Sequence, residues 1–109
     1  MPTIYKVLGQ AEPAATTATT LYTVPSATDA VVSTLVVANK AAAAGSYRIA
    51  VRPAGASLED KHYLAYDVPL AANDSIALTL GITLDATDVV TVYASSADMS
   101  FNAFGSEIS

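Results

Sequence analysis

Histidine is the side chain that enzymes use most often for proton transfer, and this chain has a single one, His62. Catalytic triads are assembled in space from residues far apart in sequence, so spacing alone gives no test of a Ser-His-Asp arrangement. His62 lies between Lys61 and Tyr63, and no nucleophile-elbow motif accompanies it. We therefore interpret His62 as a structural or surface histidine and predict no catalytic residue.

Oxygen-bearing side chains occur in two predicted turns, with Asp85 and Asp88 in one and Asn73 and Asp74 in the other. Such groups suit calcium, but this ion takes about six to eight oxygen ligands, usually from one acidic loop. Neither turn has the aspartate-rich spacing of an EF-hand. Asp and Asn also favour turns because their side chains hydrogen-bond to the nearby backbone. The sequence therefore predicts turn residues here and no metal site.

The remaining charged residues do not form an obvious acid–base pair. Glu59 and Asp60 are adjacent and precede Lys61, which is typical of a solvated turn, whereas catalytic carboxylates usually converge from separated positions. Arg48 and Arg52 lie on one face of a predicted strand, where they can pair with acids of a neighbouring strand or subunit. Six tyrosines suit the rims or interfaces of sheets, or a core position with the hydroxyl at its edge. We predict that the protein is not an enzyme and binds no cofactor.

Turn residues interrupt the chain at short intervals, and the segments between them alternate in polarity or are continuously apolar. Eight such segments are candidate strands, at 3–8, 19–24, 30–39, 46–53, 62–68, 75–84, 89–94 and 99–104. Only one helical turn is expected, at 57–60. The pattern predicts an all-β fold, a two-sheet antiparallel β-sandwich of about eight short strands. Jelly-roll and immunoglobulin-like connectivity both fit this string of strands.

Alternation within the predicted strands also assigns side chains to faces. It places residues on common faces as two sets, Val31 with Leu35 and Val37, and Leu64 with Tyr66 and Val68. Segment 30–39 is largely apolar on both faces, so we expect it to be covered on both sides or to dock by its outer face on a neighbour. Gly81 is expected to mark a bulge or a bend, and segment 39–45 a hairpin loop.

Segment 9–18 consists of polar and small residues, and its Pro13 disfavours pairing as a central strand. We therefore divide the chain into an N-terminal strand or arm with its linker, 1–18, and a β-sandwich domain, 19–109. A strand that precedes a flexible linker can be exchanged with the sheet of a neighbouring subunit.

Charge is sparse: five basic and ten acidic residues make up 14% of the chain and give a net charge of −5. An acidic surface repels phosphate groups, so we expect neither nucleic acid nor an anionic membrane as a partner. Globular chains usually contain about 25% charged residues. A small domain with so little charge often covers part of its surface with partners, and we favour assembly over tight packing of small residues alone. The first residues do not resemble a signal peptide.

Short segments along nearly the whole chain combine turn residues with alternating polar and apolar residues. They are Leu21-Tyr22-Thr23-Val24-Pro25, Val31-Val32-Ser33 and Val36-Val37-Ala38-Asn39, then 63–69, 72–74, 80–84 and 92–95, and the ending Phe104-Gly105-Ser106-Glu107-Ile108. In these segments the chain resembles small accessory virion proteins of tailed bacteriophages. The resemblance implies a non-enzymatic structural part of a virion and transfers no functional residue.

Two positions on a virion follow from this resemblance. We predict a capsid decoration or cement protein on the exterior of the head, a homo-oligomer with a trimer favoured, whose partners are the major capsid protein or other virion structural proteins. The alternative is a tail-fibre or baseplate component that assists host adsorption, in which tyrosines stack on carbohydrate. A cellular enzyme or ligand-binding module is a third hypothesis, and its only support is His62 with scattered acids.

Overall fold

A computed structural model describes residues 2–109, and nearly all of its regular secondary structure is strand. The strands are β1 (Thr3–Ala11), β2 (Thr19–Thr23), β3 (Asp29–Asn39), β4 (Gly45–Arg52), β5 (Tyr63–Leu70), β6 (Ser75–Leu84), β7 (Val89–Ala94) and β8 (Met99–Ile108). Two single 3₁₀ turns, Pro53–Gly55 and Asp60–His62, lie between β4 and β5. None of the helical segments in residues 2–109 is long and apolar enough to cross a membrane.

The strands form two antiparallel four-stranded sheets that pack face to face, so the predicted β-sandwich is confirmed. Sheet A has the order β1-β8-β3-β6, and sheet B has the order β2-β7-β4-β5. The chain is connected like a long hairpin of four strand pairs that has been rolled up. From the outermost to the innermost along the chain, the pairs are β1–β8, β2–β7, β3–β6 and β4–β5. This connectivity is that of a jelly roll and not that of an immunoglobulin domain.

The core lies between the sheets and is filled by alternate side chains of the central strands. The large, fully buried side chains on these strands are Val32, Leu35, Val37, Tyr47, Ile49, Val90, Val92, Met99 and Phe101. The rings of Tyr47 on β4 and Phe101 on β8 meet edge to face, with centroids 6.4 Å apart, and so join the two sheets. Each large apolar side chain buried here stabilises the fold by about 1.5–3 kcal/mol.

A bulge in β3 makes one of the predicted face assignments wrong. Leu35 and Val37 are buried as expected, but Val31 is only half-buried and Val32 is buried in its place. The register of β3 with both neighbours skips Ser33, and one extra residue moves everything before it to the opposite face. The bulge or bend predicted at Gly81 is found as a bulge, because Leu80 and Gly81 of β6 lie opposite Ser33 alone and Gly81 has a φ of +61°.

A second bulge, in β5, separates the set Leu64, Tyr66 and Val68. Leu64 and Tyr66 are exposed, whereas Val68 packs against the core. Between the pairs Tyr47–Val68 and Ile49–Ala65, two residues of β5 lie opposite one residue of β4. The predicted common face is therefore wrong, because the extra residue reverses the alternation within the strand.

The connections also differ from the expectations. Segment 39–45 is not a hairpin loop, because β3 belongs to sheet A and β4 to sheet B. The expected helical turn at 57–60 is found instead at Asp60–His62. Residues 3–11 of the predicted arm form edge strand β1, which pairs with β8 of the same chain along its length. Exchange of β1 between subunits stays a prediction. Met1, the first residue of the predicted arm, lies outside the described residues.

Candidate functional site

The outer face of sheet A is an almost uncharged surface. Residues that are direct partners in an antiparallel sheet share a face, and the register gives three central rows, Tyr5-Ser106-Val31-Thr83, Val7-Phe104-Thr34-Thr79 and Gln10-Asn102-Val36-Ala77. Shorter rows, Thr3-Ile108-Asp29 and Ser100-Ala38-Ser75, lie at the two ends. We call this surface face A, and among its residues only Asp29 carries a charge.

Aromatic and aliphatic side chains stand on face A without a covering layer. Tyr5 is 84% exposed and Val7 is 46% exposed, while Val31, Val36 and Phe104 are half-buried between their neighbours. Threonine, serine and amide side chains fill the remaining positions. A second protein can cover most of this surface without removing water from a charged group other than Asp29, and removing water from charged groups is a costly part of forming an interface.

The outer face of sheet B has a different chemistry, centred on Arg48. The β5 bulge places both Tyr66 and Asp67 opposite Arg48 of β4. The guanidinium donates from Nε to Asp67 Oδ1 at 2.7 Å and from Nη2 to Asp67 Oδ2 at 3.2 Å. It also lies 4.1 Å from the ring centroids of both Tyr66 and Tyr93. The predicted pairing of Arg48 with an acid of a neighbouring strand is present.

The electrostatics of this cluster follow from the two-pronged ion pair. Hydrogen bonding from Arg48 lowers the pKa of the Asp67 carboxyl, and the same bonds raise the pKa of Arg48. Asp67 has a φ of +51°, a left-handed conformation that Asp tolerates better than most residues. The cluster therefore holds the Tyr66 ring against a fixed guanidinium plane.

Next to this cluster, Asp60, Tyr63 and Tyr66 line a depression of about 360 Å³ that we call the tyrosine pocket. The two rings meet nearly at a right angle, with an interplanar angle of 83° and centroids 4.9 Å apart. Tyr66 is 55% exposed. The pocket thus combines two phenol rings with one carboxylate at the edge strand β5.

His62 takes part in the fold of the turn before β5. It is buried, and its Nδ1 accepts a hydrogen bond from the Glu59 backbone N–H at 3.0 Å. Its own N–H donates to the Glu59 carbonyl, closing the 3₁₀ turn. His62 also lines a mainly apolar depression with Val51 and Leu64. The geometry gives this histidine a structural position, in which one ring nitrogen is already occupied by the backbone.

The acidic turns are organised by hydrogen bonds to the backbone. The Asp88 carboxylate accepts from the N–H groups of Ala54, at 2.8 Å, and Asp85, at 2.9 Å. Asp74 accepts from the N–H of Ser75, and Asn73 adopts a left-handed φ of +54°. Within the described part of the chain, no three His, Asp or Glu residues are grouped so as to hold a metal ion. The aspartate side chains of these turns accept hydrogen bonds from nearby backbone N–H groups, as turn residues do.

Two polar centres were missed by the sequence analysis, and the first is Asn39. This residue is buried, and its Nδ2 lies 3.0–3.2 Å from the carbonyl oxygens of Ala43, Leu70 and Ala71, while Oδ1 accepts from the Ala41 N–H. Asn39 therefore connects the β3–β4 loop to the end of β5. The sign of this role in the sequence was an asparagine at the end of the longest apolar segment.

The second centre is Glu107, between β1, β8 and β2 at one end of the sandwich. The Tyr22 hydroxyl donates to Glu107 Oε2 at 2.5 Å, and Lys6 Nζ lies 3.3 Å from Oε1. These contacts, with Tyr22 the larger, lower the pKa of Glu107. Burial, followed by the bond to Glu107, raises the pKa of Tyr22. Sequence spacing carried no sign of this contact, because 85 positions separate its partners.

The other predicted arginine is also engaged within the chain. Arg52 donates from Nε to the Thr91 hydroxyl at 3.0 Å and from Nη1 to the carbonyls of Gly55 and Ala56. The two arginines thus brace the outer surface of sheet B, and face A lies on the opposite side of the sandwich.

Comparison with protein-family models and with curated protein sequences finds no match to this chain.

Proposed function

We propose that this chain is a non-enzymatic structural protein of a bacteriophage virion, and that it decorates the head by docking face A on the major capsid protein. Face A is the observation that carries the proposal. A four-stranded sheet surface with a single charged residue is unusual for a surface that stays in water. The resemblance to accessory virion proteins supports the same conclusion, and jelly rolls are common among capsid proteins.

Edge strand β1 adds a route to homo-oligomers, for which we favour a trimer. Its residues Ile4, Tyr5 and Val7 are large, apolar and exposed, and its outer edge has no strand partner in sheet A. Unpaired edge strands are templates for pairing with another chain. Pairing of β1 with β1 of a second copy is two-fold and gives a dimer, so a trimer requires β1 to contact a different surface of the next copy.

The copy number of the chain in purified particles tests this proposal. Quantitative mass spectrometry of the phage that encodes the chain should give a ratio near one to one with the major capsid protein. Such a ratio supports decoration of the head lattice. A ratio of a few hundredths or less contradicts it, because the chain would then be confined to the tail or to one vertex.

The tail-fibre or baseplate position is the second candidate, favoured by the tyrosine pocket. Exposed aromatic rings beside a carboxylate suit contact with a host surface. In this case the chain would be found at low copy number. Antibody labelling in electron micrographs should then mark the tail, whereas head decoration predicts labelling over the whole shell.

A further inference from the structure

We propose that the tyrosine pocket binds a neutral saccharide ring. The pocket is on sheet B, and face A is on sheet A, so the two surfaces face opposite sides of the sandwich. The pocket therefore stays accessible when face A is covered.

The pocket is already formed in the unliganded chain. Tyr66 is held on one side by Arg48, whose guanidinium is itself fixed by two bonds to Asp67. Tyr63 packs against Tyr66 at nearly a right angle. Rings held in place by packing and ion pairing lose little conformational freedom on binding, which lowers the cost of association.

The charges around the pocket disfavour an anionic ligand. An anion would approach the carboxylate of Asp60, in a chain with a net charge of −5. Lys61 lines the neighbouring depression with Val51 and Leu64 instead of this pocket. One face of the Tyr66 ring already carries the Arg48 guanidinium, so that face is closed to a second cation. A neutral ligand meets no charge repulsion in the pocket.

The lining groups match the two kinds of surface on a sugar. The C–H face of a pyranose packs on a phenol ring, while its hydroxyls donate to a carboxylate. Asp60 forms no ion pair with another residue of the described chain, so its oxygens are available as acceptors. A volume of about 360 Å³ is within the usual range for small-molecule sites.

An NMR titration of the isolated full-length chain, labelled in its tyrosine rings, tests the proposal. The probes are glucose, galactose, N-acetylglucosamine and maltose, with tetramethylammonium and sulfate as cationic and anionic probes. We expect at least one sugar to shift the Tyr63 and Tyr66 ring signals saturably, and to leave Tyr5 on face A and Tyr47 in the core unchanged.

Variants locate the effect within the pocket. Tyr66→Ala should weaken the binding of the responding sugar about ten-fold, through loss of the stacking ring. Tyr66→Phe keeps the ring and should retain most of the affinity. Asp60→Asn should weaken binding without unfolding the chain, and Tyr5→Ala is the matched control with unchanged affinity. Dispersed backbone signals verify folding in each case.

Three outcomes would overturn the proposal. They are the absence of any saturable shift with all four sugars, shifts that respond to tetramethylammonium or sulfate alone, and sugar binding that Tyr66→Ala leaves intact. Because the measurement uses the isolated chain, none of these results bears on head decoration. A low copy number in particles would likewise leave the saccharide site standing.

Discussion

The Glu107 carboxylate makes the stability of this fold depend on pH. Its pKa lies below the ordinary value of 4.5, because the Tyr22 hydroxyl and then Lys6 stabilise the ionised form. A carboxyl with a lowered pKa in the folded state contributes stability above its unfolded pKa, and that contribution is lost as the pH falls through the folded value. Glu107→Gln should therefore flatten the decline in unfolding free energy between about pH 5 and pH 2.

Urea unfolding across this pH range measures the effect. Tyr22→Phe is the companion variant, since it keeps the ring and removes the hydroxyl; we expect a loss of about 1–2 kcal/mol at neutral pH. Asp67, whose pKa is lowered by Arg48, leaves some acid sensitivity in every variant. Equal slopes for wild type and Glu107→Gln would show that the contact contributes nothing to the pH dependence.

At this scale, residues that act locally are the easier ones to predict. The turn positions of Asp74 and Asp88 follow from the affinity of Asp side chains for nearby N–H groups. The bonds of Asn39 to Leu70, and of Tyr22 to Glu107, join segments that only the tertiary fold brings together. Single-sequence patterns contain no information about such pairs.

Among the elements, strand positions were predictable from alternation and turn residues, but faces were predictable only up to each bulge. The bulge at Gly81 had a visible sign, a glycine within a strand of strict alternation. Ser33 gave no sign of its bulge, whereas Asp67 belongs to a residue type that is depleted in strands and was the available sign of the bulge in β5. One unseen residue is enough to reverse the inward and outward sets, as it did for Val31.

Two glycines of sheet A, on strands β8 and β6, should respond differently to the same change. A Cβ on Gly105 would overlap the carbonyl oxygen of Val31, so β8 and β3 would have to move apart. A Cβ on Gly81 meets nothing within 4 Å, and only its left-handed φ is unfavourable. We expect Gly105→Ala to cost about 3 kcal/mol, and Gly81→Ala about 1–2 kcal/mol.

Thermal and urea unfolding of both variants under the same conditions give the comparison. The order of the two effects is the informative result. A larger loss of stability for Gly81→Ala than for Gly105→Ala would contradict the view that Gly105 is needed for the close approach of β8 to β3.

For the whole molecule, the order in which the strands pair within the two sheets was not predictable from the sequence. Only β4 and β5 are neighbours both along the chain and within a sheet. Every other pair joins strands separated by at least two others, and β1 pairs with β8 across the entire chain. Strand lengths and turn spacing are the same for many such arrangements, which explains why two connectivities remained open until the pairing was known.

The docking proposal belongs to this scale and can be tested with one charge. Thr34 lies in the middle of face A, between Phe104 and Thr79. Thr34→Lys should abolish incorporation into particles, since a buried unpaired ammonium is costly, while changing the unfolding free energy by less than about 0.5 kcal/mol. Thr20→Lys, at an exposed position of edge strand β2 in sheet B, is the matched control.

Phage particles assembled with each variant can be assayed for the chain by immunoblot. Normal incorporation of Thr34→Lys would exclude face A as the docking surface. Loss of incorporation for both variants would point to a general effect of added positive charge and not to face A.

The near absence of charge on face A also determines how a contact made through it responds to its surroundings. Salt screens ion pairs, and such a contact would contain almost none. Sulfate, which strengthens the burial of apolar surface, would tighten it, whereas cooling would loosen it. A subunit held in this way would stay attached in concentrated brine and would be released most readily in the cold or in mild urea.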